Sequence, residues 1–300
     1  MSCVLQKKEE GMKLWLMISV LAMIPGGVAS SGYSMDEIKL VSHFNPSDQR
    51  LFYAYGVLEK ALDVTVESDG PYTISYADRK MQRNRVLVEL AEGVVNVHLA
   101  ATRLEWEEET IPVRIPVLKG ILGYRLLVVR RDDLERFKDI QDLESLKSLR
   151  AGSGLQWTTT TVLQQSGFNV VTGRTRRGLY GMLDRDRFDY FPRGVNEIYA
   201  ELETMKNVYP DIRVEPSLAL YFPTPSYFFV SPRNPGLADR IRRGLEILIK
   251  NGEFDAMFDA AYGEAIARAK IGNRKVLMIE NMLLSPKTPF DRQELWYTPR

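Results

Sequence analysis

With 300 residues, 45 % of them apolar, the chain can bury ample core and form one large or two medium domains. A formal net charge of +1 argues against a general nucleic-acid binder, which carries a basic excess. One cysteine (Cys3) and 2 histidines (His43 and His98) without an HExxH spacing leave a catalytic metal site poorly supplied, and no metal or cofactor is expected.

The first feature in chain order is an address label. Lys13 supplies a positive start, residues 14–24 an apolar run, and Gly27-Val28-Ala29 a small-residue cleavage site. The run is too short to span a hydrocarbon core of about 30 Å, which takes ~20 apolar residues. Residues 1–29 therefore read as a signal peptide, with Met12 as the expected start. Cleavage after Ala29 removes Lys7, Lys8, Lys13, Glu9, Glu10 and Cys3, bringing the formal charge from +1 to 0. The mature chain, left without thiol, disulfide or lipid-acceptor cysteine, is expected to be periplasmic, soluble and monomeric.

Short apolar runs then alternate with amphipathic segments, the pattern of an α/β protein. Strands are predicted over 38–42, 72–76, 94–101 and 122–130. Between them lie a helix capped by Ser47, with Leu51, Phe52, Tyr55, Leu58 and Leu62 on one face, and a short helix over 85–92. A second set follows: helices over 139–146, 157–166, 177–184 and 194–205, and strands over 149–152, 170–171, 187–191, 214–221 and 227–231. Pro235 opens a helix that buries Leu237, Ile241, Leu245 and Leu248, and Gly252 ends it. A last helix, over 253–262, is predicted to stop at Gly263. No GxSxG, GxGxxG or phosphate-loop pattern occurs; Gly152-Ser153-Gly154 is the closest glycine-rich element.

Three stretches carry a family resemblance. Residues 85–117 run helix, glycine, strand, threonine-containing loop and Ile-Pro-Val turn. Residues 182–191 read Met-Leu-Asp-Arg-Asp-Arg-Phe-Asp-Tyr-Phe, and residues 230–263 form a closing helix pair. In this order they resemble the type II periplasmic solute-binding proteins, particularly the polar-amino-acid branch (family 3) that serves ABC transporters. The resemblance covers residues 36–265. It implies a two-lobed α/β periplasmic-binding-protein-like fold with a ligand cleft between lobes that close by hinge motion. Lobe 1 would comprise 32–126 and 227–300, lobe 2 127–226, with the chain crossing twice.

Ligands of open α/β sheets lie beyond the carboxyl ends of strands, where helix N-termini offer free donors. That rule selects the loops holding His43, Gln82 to Arg85, Thr102, Arg103, Trp106 and Glu107, and in the second lobe Trp157, Thr158 and Arg193. His43 and Trp106 serve either as core packing or as cleft wall, and Glu105 to Glu109 either as solvated face or as site. Arg193, between Pro192 and Gly194 at a helix start, is disfavoured by the helix dipole by about 0.3–1 kcal/mol, which a bound anion would offset. The alternative is a surface arginine or an ion pair with Glu197. On the anion reading, Arg193→Ala weakens binding and leaves folding nearly unchanged.

Two departures from the family pattern bear on the ligand. The position of the family's carboxylate-clamping arginine falls on Glu107, with Arg103 as its possible replacement. The position of its ammonium-binding aspartate falls on Arg193 or Gly194. A standard α-amino acid fits poorly. The expected function is capture of a small polar, anion-bearing solute for an inner-membrane ABC transporter permease or a sensor, without catalytic residues or nucleic acid. The alternatives are a dehydratase-like enzyme using Glu105, Glu107 or Glu108, and a periplasmic sensory partner of a membrane receptor suggested by the 270–300 extension, which otherwise reads as a strap over the first lobe.

Overall fold

The computed structural model describes residues 35–41, 49–78 and 81–299. The expected leader, His43 and the Ser47 cap lie outside these residues. The first elements are β1 (Asp36–Leu40), α1 (Gln49–Asp63), α2 (Val66–Asp69), β2 (Tyr72–Tyr76), α3 (Arg83–Glu92), β3 (Val97–Ala101), α4 (Leu104–Glu109) and β4 (Ile111–Val113). Next come β5 (Tyr124–Arg130), α5 (Leu134–Lys138), α6 (Leu143–Lys147), β6 (Arg150–Gly154), α7 (Thr158–Gln165), β7 (Asn169–Gly173), α8 (Arg176–Asp184), β8 (Phe191–Gly194) and α9 (Val195–Met205). The chain closes with β9 (Ile212–Tyr221), β10 (Ser226–Val230), α10 (Pro235–Lys250), α11 (Glu253–Ala269) and β11 (Lys275–Met278).

On one side, β1 pairs with β2 in parallel, and β10 pairs antiparallel with both β3 and β4. Asn96 joins these two groups. Its amide donates to the Glu37 carbonyl at 2.6 Å and accepts from the Lys39 N–H at 2.7 Å. Apolar residues of α10 at helical spacing (Leu237, Ile241, Leu245, Leu248) bury against α1, which presents Ala54, Val57, Leu58 and Ala61. Arg240, on the same buried helix, is 1 % exposed and clamps the connections around it. Its guanidinium reaches Asp36 at 2.9 Å, Thr65 Oγ1 at 3.0 Å and the Gly70 carbonyl at 2.8 Å.

On the other side the strand order is β11-β9-β5-β8, and β6 pairs in parallel with β7. A bridge between Ala151 and Tyr190 ties β6 to the start of β8. Leu127, Val129, Phe137, Leu146, Leu149, Leu163 and Tyr190 fill the core there. The two groups of strands are linked where β5 begins and β9 ends. Tyr124 lies opposite Tyr221, their rings 4.3 Å apart, and the Phe222 N–H donates to the Gly123 carbonyl.

Asp189 fastens this second sheet. Its carboxylate accepts from the Arg150 N–H at 2.6 Å, the Arg150 Nε at 3.1 Å and Arg136 at 3.1 Å. Burial pushes its pKa up, but the hydrogen bonds and charge of Arg150, with Arg136, outweigh burial and hold it below the usual 3.8. A carboxylate depressed in the fold stabilises above its unfolded pKa and loses that stabilisation as pH falls through the folded value. We expect Asp189→Asn to cost about 1–2 kcal/mol at pH 7, the arginines being partly exposed. The gap from wild type should shrink below pH 4 in urea titrations; a gap independent of pH would contradict the assignment.

Several sequence expectations differ from the structure, among them the strand predicted over 187–191, which instead begins at Phe191. Gly263 does not stop the last helix, which runs to Ala269 because Ile266 and Ala269 still pack on the core and ends at Lys270 in the left-handed conformation. Residues 102–107 are not all loop, since α4 begins at Leu104. Pro192, Arg193 and Gly194 belong to β8, where Arg193 pairs with Leu126, rather than to a helix-opening loop. The extension is also not a strap over the first lobe alone. β11 pairs with Leu218 to Tyr221 of β9, and Leu277 and Ile279 pack with Leu127 and Phe137. The chain then crosses the junction, where Asn281 donates to the Pro223 carbonyl at 2.7 Å. It ends beside Lys119, whose carbonyl accepts from the Tyr297 N–H at 2.8 Å. Leu277 and Ile279, two residues apart, bury toward one core, and Val276 packs against the other.

Candidate functional site

A cleft of about 1020 Å³ is lined by residues from both groups of strands and their junction. The starts of four helices border it: Gln82 and Arg83 at α3, Trp157 to Thr159 at α7, Arg176 at α8, and Asn196 and Glu197 at α9. Neither Gln82 nor Trp157 caps its helix through a side chain, so first-turn N–H groups remain available to a ligand. β3 contributes His98 to Ala101, and the junction contributes Leu122, Arg125, Thr224 and Ser226.

The charged lining consists of Arg83, Arg125, Arg174, Arg176 and Arg193 against Glu197 and Glu201. Arg193 is 3 % exposed and forms a two-pronged bond with Glu201, Nε to Oε2 at 2.8 Å and Nη2 to Oε1 at 2.5 Å. Glu197 lies 3.1 Å from the same guanidinium and 3.5 Å from Arg125. Arg176 and the Tyr180 hydroxyl also donate to Glu201, at 3.2 and 3.1 Å. Burial alone would lower the Arg193 pKa; Glu197 and Glu201 reverse this and raise it. Burial, reinforced by Glu201, also raises Tyr180, keeping the phenol a donor. Three arginines thus share two carboxylates.

Aromatic faces complete the wall. The Arg193 guanidinium lies 4.6 Å from the Trp157 ring centroid and 5.1 Å from that of Phe191, and these two rings stack at 6.1 Å. Gly152 and Gly154 make this packing possible. A Cβ on Gly152 would come within 2.2 Å of Phe188, and one on Gly154 within 2.3 Å of Trp157. The Gly-Ser-Gly element therefore accommodates aromatic rings, and Ser153 accepts from Thr160 Oγ1 at 2.7 Å.

Of the residues singled out from sequence, Gln82, Arg83, Arg193, Trp157 and Thr158 line the cleft. Arg103 reaches across its edge, donating to Thr158 Oγ1 at 3.3 Å and to the Gln156 carbonyl at 3.2 Å; burial lowers its pKa against the opposing charge of Glu105. Apart from His43, which lies outside the described residues, the others are corrections. Trp106 is 1 % exposed and packs edge-on against Phe229 at 5.2 Å, so it belongs to the core. Glu107 accepts from Arg114 at 2.8 Å and from Thr102 Oγ1 at 2.7 Å, which occupies both Glu107 and Thr102 away from the cleft. Arg85 pairs with Glu89 along one helix face. Arg193 as an unopposed helix-start cation is likewise corrected, because Glu201 and Glu197 neutralise it within the fold. Sequence reasoning missed Arg125, Arg176, Asn196 and Glu201. The spacing of Glu197 and Glu201, four and eight residues after Arg193, was the available signal.

Among the described residues no helix is long and apolar enough to cross a membrane. No protein-family model matches the sequence, and no curated protein matches it. Solved structures do resemble it. An ancestral arginine-binding protein bound to arginine aligns with TM-score 0.54 and 18 % identity, over 76 % of this chain and 98 % of that one. A histidine kinase sensor domain with similarity to periplasmic binding proteins gives 0.53 and 17 %, over 77 % and 97 %. The periplasmic binding protein STM4351 of Salmonella typhimurium, described for high arginine specificity, gives 0.53 and 14 %, over 76 % and 99 %. Likeness at these identities establishes architecture: the chain has the two-lobed α/β fold of the periplasmic binding proteins, with its cleft between the lobes.

Proposed function

We propose that the chain is an exported solute-binding protein that captures a small, anion-bearing solute by hinged closure. It then passes the solute unchanged to an inner-membrane ABC transporter permease or to a sensor. One observation carries this reading: five arginines line the cleft against two glutamates, and both glutamates are already engaged by arginine. The remaining positive field, with uncapped helix starts beside it, favours an anion in a site partly shielded from water. The same field opposes a cationic amino acid, the ligand class for which two of the similar folds are named. On this reading lobe 1 holds residues 32–126 and α10 with α11, and lobe 2 holds 127–226 with β11. The paired Tyr124 and Tyr221 serve as hinge, and the leader directs the chain to the periplasm.

The enzymatic alternative loses its sequence-based support, since Glu105, Glu107 and Glu108 do not line the cleft. Native mass spectrometry of gently purified protein tests the proposal. The expected result is one retained small anion of unaltered mass. Retention of a cationic or zwitterionic amine, or conversion of the retained molecule on incubation, would contradict it.

A further inference from the structure

Asn196 stands in the first turn of α9 and lines the cleft beside Arg193 and Glu197. It is 6 % exposed, and among the described residues neither its Oδ1 nor its Nδ2 has a hydrogen-bond partner. A buried amide left unpaired destabilises the fold that contains it, so such groups are retained where something else uses them. Gly194 leaves room for it. A Cβ there would lie 2.7 Å from Asn196 Oδ1 and 3.0 Å from Glu197 Oε2, so a side chain at 194 would crowd both.

The partner that Asn196 requires follows from its chemistry. The amide offers an acceptor and a donor on one short side chain. A carboxylate accepts only, satisfying Nδ2 while opposing Oδ1. An ammonium donates only, and the surrounding arginines repel it. A hydroxyl does both, donating to Oδ1 and accepting from Nδ2. We infer that the solute is a hydroxylated organic anion, its charged group held by the cleft arginines and a hydroxyl held by Asn196. This inference rests on the anion-capture reading above and deepens it.

Calorimetric titration with matched pairs that differ in hydroxylation tests it: lactate and propionate, malate and succinate, gluconate and hexanoate. Wild-type protein should bind the hydroxylated member of at least one pair about tenfold or more tightly than its deoxy partner. Asn196→Leu should abolish that preference while melting at or above the wild-type temperature, since it removes an unpaired buried amide. Asn196→Ala, which deletes the amide without adding bulk, should also lose the preference. Equal affinity within the pairs that bind, or a preference that survives in both variants, overturns the role of Asn196 and leaves anion capture standing. A melting temperature lowered in both variants, with the preference intact, would make the amide a structural group. If no anion of the set binds, the capture reading falls, and this inference with it.

Discussion

Arg193→Ala is expected to lower folding stability by about 3–5 kcal/mol, read from urea denaturation at pH 7. The substitution strands Glu201, itself 4 % exposed, with only Arg176 and the Tyr180 hydroxyl as partners. It also removes the cation lying on Trp157 and Phe191. This reverses the expectation from sequence, which placed Arg193 on a loop where its loss leaves folding intact. Burying a carboxylate without its counter-ion is far costlier than replacing the pair. Arg193→Leu combined with Glu201→Leu should therefore recover most of the loss. A single-variant loss below 1 kcal/mol would show that the pair contributes little to the fold.

Arg240→Ala should be similarly severe, about 3–4 kcal/mol, although Arg240 lies outside the cleft. Its guanidinium satisfies the Gly70 carbonyl and Thr65 Oγ1 and pairs with Asp36, so truncation removes several buried hydrogen bonds and leaves a cavity between α10 and α1. Arg240→Lys should recover only part of this, because one ammonium cannot reproduce a planar fork directed at four partners, the Leu62 carbonyl being the fourth. Ligand affinity of the residual folded protein should be unchanged. Full stability in Arg240→Lys would mean that charge alone, rather than geometry, is what the site requires.

The elements were legible wherever periodicity was strong. Leu237, Ile241, Leu245 and Leu248 mark α10, and the strand predicted over 122–130, with Leu126 to Val129 at its centre, marks β5, because each pattern records a face that must be buried. The end of α11 was not legible. A glycine such as Gly263 weakens a helix by only about 1 kcal/mol, and packing of Ile266 and Ala269 overrides that. β11 escaped notice because its four residues acquire strand structure only by pairing with β9, far away in sequence. The site was legible by region more than by residue. The helix start at Trp157 follows from the strand-end rule, whereas in the next loop that rule stopped at Arg193 and Gly194 and did not reach Asn196. Which arginines are engaged by Glu197 and Glu201 depends on side chains from β5, α8, β8 and α9 meeting in space. Trp106 and Glu107 show the converse: residues suited by chemistry to a cleft, which the fold turns toward Phe229 and Arg114.

Capture of an anion between the lobes is most directly tested by calorimetric titration of ligand-stripped protein with the solute released from the native preparation. The account predicts one-to-one binding with a Kd near micromolar, about −8 kcal/mol, that weakens as ionic strength rises. Binding insensitive to salt, or binding of a cationic amine with no response to any anion, would contradict it.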